Sequence, residues 1–215
     1  MNEKRTHGEH RHRSPSEATH LETVAAALQC RGMCAIVVDD QIEARRFVLD
    51  RLVGRARVVQ TPSTTLEALG LSEEIEQVGR VDAGSPRRCV LEDDRQREEV
   101  LPLASPPDYV LSGVDAVTEL GSLVLSSRSL GPLGPQAGRA GQVIFIAGRQ
   151  KIVPDLDAAF RRLCSQTEDP STGSSALGSR ADAALEQILI IGGDSAGRLT
   201  VVLVDESLEA PDQAW

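Results

Sequence analysis

Residues 108–164 read DYVLSGVDAVTELGSLVL, then VIFIAG, then KIVPDLDAAFRRLC, separated by short polar or glycine-bearing segments. This order of apolar runs, turns and one amphipathic segment leaves few architectures open. Tyr109 begins a short apolar strand that stops at Ser112-Gly113. The pattern predicts a short helical turn carrying Asp115 and Glu119, then a new strand opened by Gly121. Such an arrangement puts a tight polar loop at the C-terminal end of a strand, where ligands bind in open α/β sheets.

The same alternation extends to both sides. Leu21, Val24, Ala25 and Leu28 recur at helical spacing before Gly32, which predicts a helix over 16–31. Residues 35–39 read as a strand, 41–52 as a helix ending before Gly54, and 57–60 as a strand. This βαβ rhythm predicts an α/β fold, a layered open sheet that is mostly parallel. Aromatic residues make up only 2% of the chain, so the core must be built from Leu, Val, Ile and Ala, which suits a sheet covered by helices. Further on, 66–78 is helical in pattern, 88–91 a short strand, and 92–99 a charged, solvated helix face. Pro102, Pro106 and Pro107 break the chain before Tyr109. Past a Ser, Thr, Gly and Pro-rich loop over 165–178, the runs 185–191 and 199–205 read as a C-terminal strand pair, a hairpin about Gly192-Gly193-Asp194-Ser195-Ala196-Gly197.

At 215 residues the chain has room for one generous domain. We place it at 16–207, after a disordered charged tail over 1–15 and before a frayed acidic tail over 208–215. A net charge of −9 and a pI near 5.0 argue against phosphate-backbone contacts, so nucleic acid is not expected as a partner. No apolar run approaches the length of a membrane span, so no membrane insertion is expected and the cytoplasm is the expected location. Cys30, Cys34, Cys89 and Cys164 form neither a disulfide framework nor paired metal-binding motifs, and read as free buried thiols. His7, His10, His12 and His20 read as solvated side chains, not as a metal site. No metal or cofactor is therefore expected in this chain.

Two loops carry the candidate chemistry. Thr61-Pro62-Ser63-Thr64-Thr65-Leu66-Glu67 lies between a strand and a helix, where hydroxyls and free N–H groups could hold an anion. Thr64 with Glu67 is equally a capping box that serves only the helix. In the second loop, Ser112 and Asp115 form a similar cap pair. Asp115 and Glu119, four apart, would share one face of a helical turn, and close carboxylates can do acid–base work. A solvated turn explains them as well. Pro154, Asp155 and Asp157 at the start of KIVPDLDAAFRRL, with Arg161 and Arg162 further along, follow helix-start and macrodipole rules. Gly138-Arg139 before VIFIAG reads as a surface feature.

These motifs resemble the LUD domain, the family of lactate utilization protein C. Gly113-Val114-Asp115-Ala116 is similar to its Gly-x-(Asp/Glu)-Ala run, and Thr118-Glu119-Leu120-Gly121-Ser122-Leu123-Val124 to its following segment. Ser63, Thr65 and Gly70 partly match a Ser-x-Thr-x-x-Glu-x-Gly pattern. Near the C-terminus Ser179, Ala181, Asp182 and Glu186 fit the family, but Arg180 stands where it has threonine and the turn at 192–197 lacks its histidine. Roles resting on those two side chains do not transfer. The resemblance implies the fold shared by ribose-phosphate isomerase, glucosamine-phosphate deaminase and the CoA-transferases. It implies an accessory subunit for oxidation of L-lactate to pyruvate, with iron–sulfur clusters carried by partner subunits. The alternative is a stand-alone enzyme or sensor for a small anionic metabolite: a sugar phosphate, CoA ester or hydroxy acid. Ser63, Thr64, Thr65, Gly113, Gly121 and Ser122 are the ligand-binding candidates, with Asp115 and Glu119 for acid–base chemistry.

Overall fold

A computed structural model describes residues 15–52, 56, 58–61, 63–71, 75, 106–126, 140–168 and 187–208. Several expectations lie outside these residues: the histidines of the N-terminal tail, Cys89, the segments 88–91 and 92–99, Gly138-Arg139, most of the 165–178 loop, and the motif at 179–186. Nine strands are described: β1 (Cys34–Val38), β2 (Val58–Gln60), β3 (Tyr109–Gly113), β4 (Ala116–Thr118), β5 (Leu123–Ser126), β6 (Gln142–Gly148), β7 (Ile152–Val153), β8 (Ile188–Ile191) and β9 (Leu199–Val204). With them come helices α1 (Pro15–Cys30), α2 (Gln41–Arg51), α3 (Thr64–Ala68) and α4 (Leu156–Glu168).

Five strands form one sheet in the order β1-β9-β6-β3-β2, every neighbouring pair parallel. Its side chains divide by the two-residue period of a strand. Val110, Val143, Phe145, Val201 and Leu203 pack on one face with Leu21, Val24 and Leu28 of α1. On the other face Leu111, Ile144, Ile146, Val202 and Val204 pack with Ala44 and Val48 of α2 and Leu66 of α3. A sheet covered on both sides explains why its strands are continuous apolar runs rather than alternating ones.

The second sheet, β7-β4-β5-β8, is mixed and lies beyond the α1 face. Helix α4 covers it through Ala159 and Leu163, against Ala116, Val124 and Val153.

Local chemistry explains most boundaries. Gly32, at φ +83°, ends α1, and its N–H donates to Gln29 O at 2.9 Å. Asp40 caps α2 by accepting from Glu43 N at 2.9 Å. Asp155 does the same for α4, accepting from Ala158 N at 2.8 Å, so Leu156 is the first helical residue and Pro154 lies just outside.

Three expectations are corrected. Residues 115–119 are not a helical turn: Ala116–Thr118 is a strand, because β-branched Val117 and Thr118 fit a slot between β5 and β7. The C-terminal runs do not pair as a hairpin. β8 is an edge strand beside β5, whereas β9 sits between β1 and β6 with all six residues buried. Finally, the helix expected over 66–78 begins at Thr64 and breaks after Ala68, where Gly70 takes φ +61°. At the other end Leu208, placed in the frayed tail by sequence, is 3% exposed and accepts from Gln150 Nε2.

Candidate functional site

The C-terminal ends of β2, β3 and β6 converge with the start of α3. Thr61, just past β2, is buried and donates from its hydroxyl to Ser112 Oγ at 2.8 Å, and Ser112 donates in turn to Gly113 O at 2.8 Å. This chain of hydroxyls fixes the end of β3 against the strand beside it. Ser63 is the N-cap residue of α3 yet makes no capping hydrogen bond. Its hydroxyl lies against Gly113 instead, where a Cβ would stand 2.2 Å from Ser63 Oγ and 3.5 Å from Thr65 Oγ1. Gly113 is thus glycine because the Ser63 side chain occupies the space above it.

Lys151 completes the group. It ends a single 3-10 turn, Arg149–Lys151, between β6 and β7, and its side chain runs inward until only 9% of the residue is exposed. Nζ donates to Thr65 Oγ1 at 2.7 Å and to Val114 O at 2.6 Å. One amine therefore joins α3 to the turn after β3. Burial lowers its pKa from 10.5 to about 8; the Asp115 carboxylate opposes the shift and the Arg162 guanidinium adds to it. Asp115 is itself held, Oδ2 accepting from Ser126 N at 2.6 Å while its carbonyl accepts from Arg162 Nε at 3.1 Å. Two cations against one carboxylate bias this corner toward an anion.

The predicted residues split into two places. Ser63, Thr65, Gly113 and Asp115 gather around Lys151, whereas Thr64 points to solvent. Glu119, Gly121 and Ser122 lie at the opposite end of β4, in a turn where Ser122 N donates to Thr118 Oγ1. Glu119 there approaches His20 Nε2 at 3.7 Å. Since β4 is extended, the Asp115 and Glu119 backbones stand on the order of 10 Å apart, and the two carboxylates do not form a pair. The capping box is also absent: the helix starts one residue early for it, and Thr64 is its first residue rather than its cap.

Lys151 was attributed by sequence to a fold-defining segment and not to a site. A signal was present all the same. The chain has 23 basic residues, of which only Lys4 and Lys151 are lysine. A lone lysine amid arginines is informative where an amine does what a guanidinium cannot. Hollows of about 440 Å³ beside α2 and α3, and of about 610 Å³ at the N-terminal edge of the parallel sheet, include none of these residues. The corner around Lys151 is marked by its chemistry rather than by volume. Cys30, Cys34 and Cys164, expected to be buried, are exposed free thiols. Among the described residues no cluster of His, Cys, Asp or Glu could hold a metal ion.

The family model for the LUD domain matches residues 21–204. The chain belongs to the LUD domain family. Among solved structures, this LUD domain is similar to a DUF162 family protein from Deinococcus radiodurans, with a TM-score of 0.52 at 16% identity. That alignment covers 89% of this chain and 99% of the other. It supports the same layered, mostly parallel α/β architecture. Ribose 5-phosphate isomerase from Plasmodium falciparum aligns at a TM-score of 0.37 and 16% identity, over 53% of this chain and 52% of that one. A search of curated protein sequences found no match. No described helix of this LUD domain is long and apolar enough to cross a membrane.

Proposed function

We propose that this LUD domain protein is a lactate utilization protein, an accessory subunit in the oxidation of L-lactate to pyruvate whose partner subunits carry the iron–sulfur clusters. Family membership over residues 21–204 carries this reading. The site supports it chemically: an ammonium, a hydroxyl and a local excess of positive charge suit the carboxylate of a small hydroxy acid. Ser63 and Lys151 would hold that carboxylate, and Thr65 orients Lys151. Electrons would leave through the partner.

Two measurements test the proposal. Affinity purification from cells oxidising lactate should recover iron–sulfur proteins in fixed ratio with this chain. Thermal denaturation with L-lactate or pyruvate should show stabilisation, on the order of 3 kcal/mol at a hundredfold excess over Kd, that Ser63→Ala diminishes. A chain recovered alone from such cells overturns the accessory role.

The corner around Lys151 supports a second reading, a stand-alone enzyme or sensor for a small anionic metabolite, because that site needs no partner. Stabilisation by a sugar phosphate or CoA ester, with none by lactate or pyruvate, would select it.

A further inference from the structure

We propose that Lys151 is a nucleophile that forms a reversible imine with the carbonyl carbon of a 2-oxo acid bound at the Ser63–Gly113 corner. This deepens the proposed function and rests on it, since it names the ligand class of the same site.

Geometry is the first support. A neutral amine has two N–H donors and one lone pair, and Lys151 Nζ has two acceptors, Thr65 Oγ1 at 2.7 Å and Val114 O at 2.6 Å. Among the described residues no third acceptor contacts Nζ. The neutral amine therefore satisfies both neighbours, and its remaining tetrahedral position is the lone pair. In the protonated form the same position carries a third N–H, the donor left for a ligand's carboxylate. Residue choice is the second support. The chain uses lysine at only two positions, and a guanidinium in this place would stay charged and unreactive. Third, burial brings the amine to a pKa of about 8, where a substantial fraction is neutral near physiological pH.

The step balances. The Nζ lone pair attacks the carbonyl carbon, the C=O pair moves to oxygen, and a proton passes from nitrogen to that oxygen to give a carbinolamine. The hydroxyl then leaves as water, taking the remaining nitrogen proton, and C=N forms. Asp115, whose carboxylate acts electrostatically on Lys151, would relay the proton. Ser63 Oγ, lying over Gly113, can donate to the ligand's carboxylate. L-Lactate has no carbonyl and cannot react, so the imine would belong to its oxidised product.

The test is reductive trapping on the full-length chain near pH 8, with pyruvate and cyanoborohydride, followed by peptide mapping. Only Lys4, Lys151 and the terminal amine compete. We expect the reduced adduct at Lys151 in about tenfold excess over Lys4, with the preference lost in urea. L-Lactate should give no adduct, and Lys151→Met should lose the selective modification. Site mapping on the unaltered chain stands even if that variant does not fold. If pyruvate stabilises the protein but label falls only on Lys4 and the terminus, the imine is overturned while the binding reading stands. If pyruvate neither stabilises nor labels, both fall.

Discussion

Two turns border β4, one at Gly113–Val114 and one at Gly121–Ser122. In sequence they are near twins, each a glycine in a polar stretch with a carboxylate close by. The fold gives them opposite surroundings. Gly113 faces side chains, and the atom nearest its missing Cβ is the Ser63 hydroxyl. Gly121 faces backbone: at φ +80°, its Cβ would stand 2.7 Å from both Ala27 C and Ala27 O of α1. A glycine beside movable side chains leaves room for chemistry, whereas one pressed against a helix backbone fixes how two layers meet. The glycine residue alone cannot tell these uses apart.

Substitution should separate the two turns. Gly121→Ala should cost the most, about 4 kcal/mol in denaturant unfolding, because both the positive φ and a rigid helix backbone oppose a methyl group. A loss below about 1 kcal/mol would mean that α1 and the turn are not locked as described.

Next comes pH. In the folded protein Lys151 releases its proton near pH 8, while the unfolded chain holds it to about 10.5. Between those values the unfolded state binds more protons, so stability rises with pH. Relative to Lys151→Met, the wild type should gain on the order of 3 kcal/mol between pH 7 and 10.5. A constant difference across that range would remove the buried amine from the account.

Gly113→Ala should cost about 2 kcal/mol, less than its twin, because Ser63 can yield. Adding Ser63→Gly should recover most of that loss, a coupling measurable in a double-mutant cycle. The smallest effect belongs to Glu119→Gln: its contact with His20 is about half exposed, so stability should move by no more than about 0.5 kcal/mol and ligand binding not at all.

The parallel sheet was legible in sequence because its strands pack against apolar neighbours on both faces and so announce themselves as Ile-Val-Val or VIFIAG. Helix α1 was legible through its Leu21, Val24 and Leu28 spacing and the Gly32 stop. The partners of the strands were not. Ile188–Ile191 and Leu199–Val204 are similar aliphatic runs, and nothing in their own residues assigns them to different sheets. Only their distant neighbours, β5 for the one and β6 for the other, separate them, and no local signal encodes those neighbours. β4 was missed because Asp-Ala-Val-Thr-Glu is short and carries a carboxylate at each end, while its strand identity comes from pairing. Of the candidate site, Ser63, Thr65 and Gly113 were legible as strand-end residues. Lys151 was missed because it lies 86 residues from its Thr65 partner, and its role depends on that contact.

The place of β9 has a consequence for how the chain acquires its structure. Among the described strands, β1, at residues 34–38, has β9, at residues 199–204, as its only neighbour in the sheet, and β6 also needs β9 on one side. Until Leu199–Val204 is present, β1 lacks its neighbour among the described strands and one edge of β6 stays open. Synthesis from the N-terminus therefore makes the whole stretch between β1 and β9 before β1 can dock on β9. Loop closure over that separation should make folding slow, and a ribosome-bound chain should expose two apolar edges until the last one is filled.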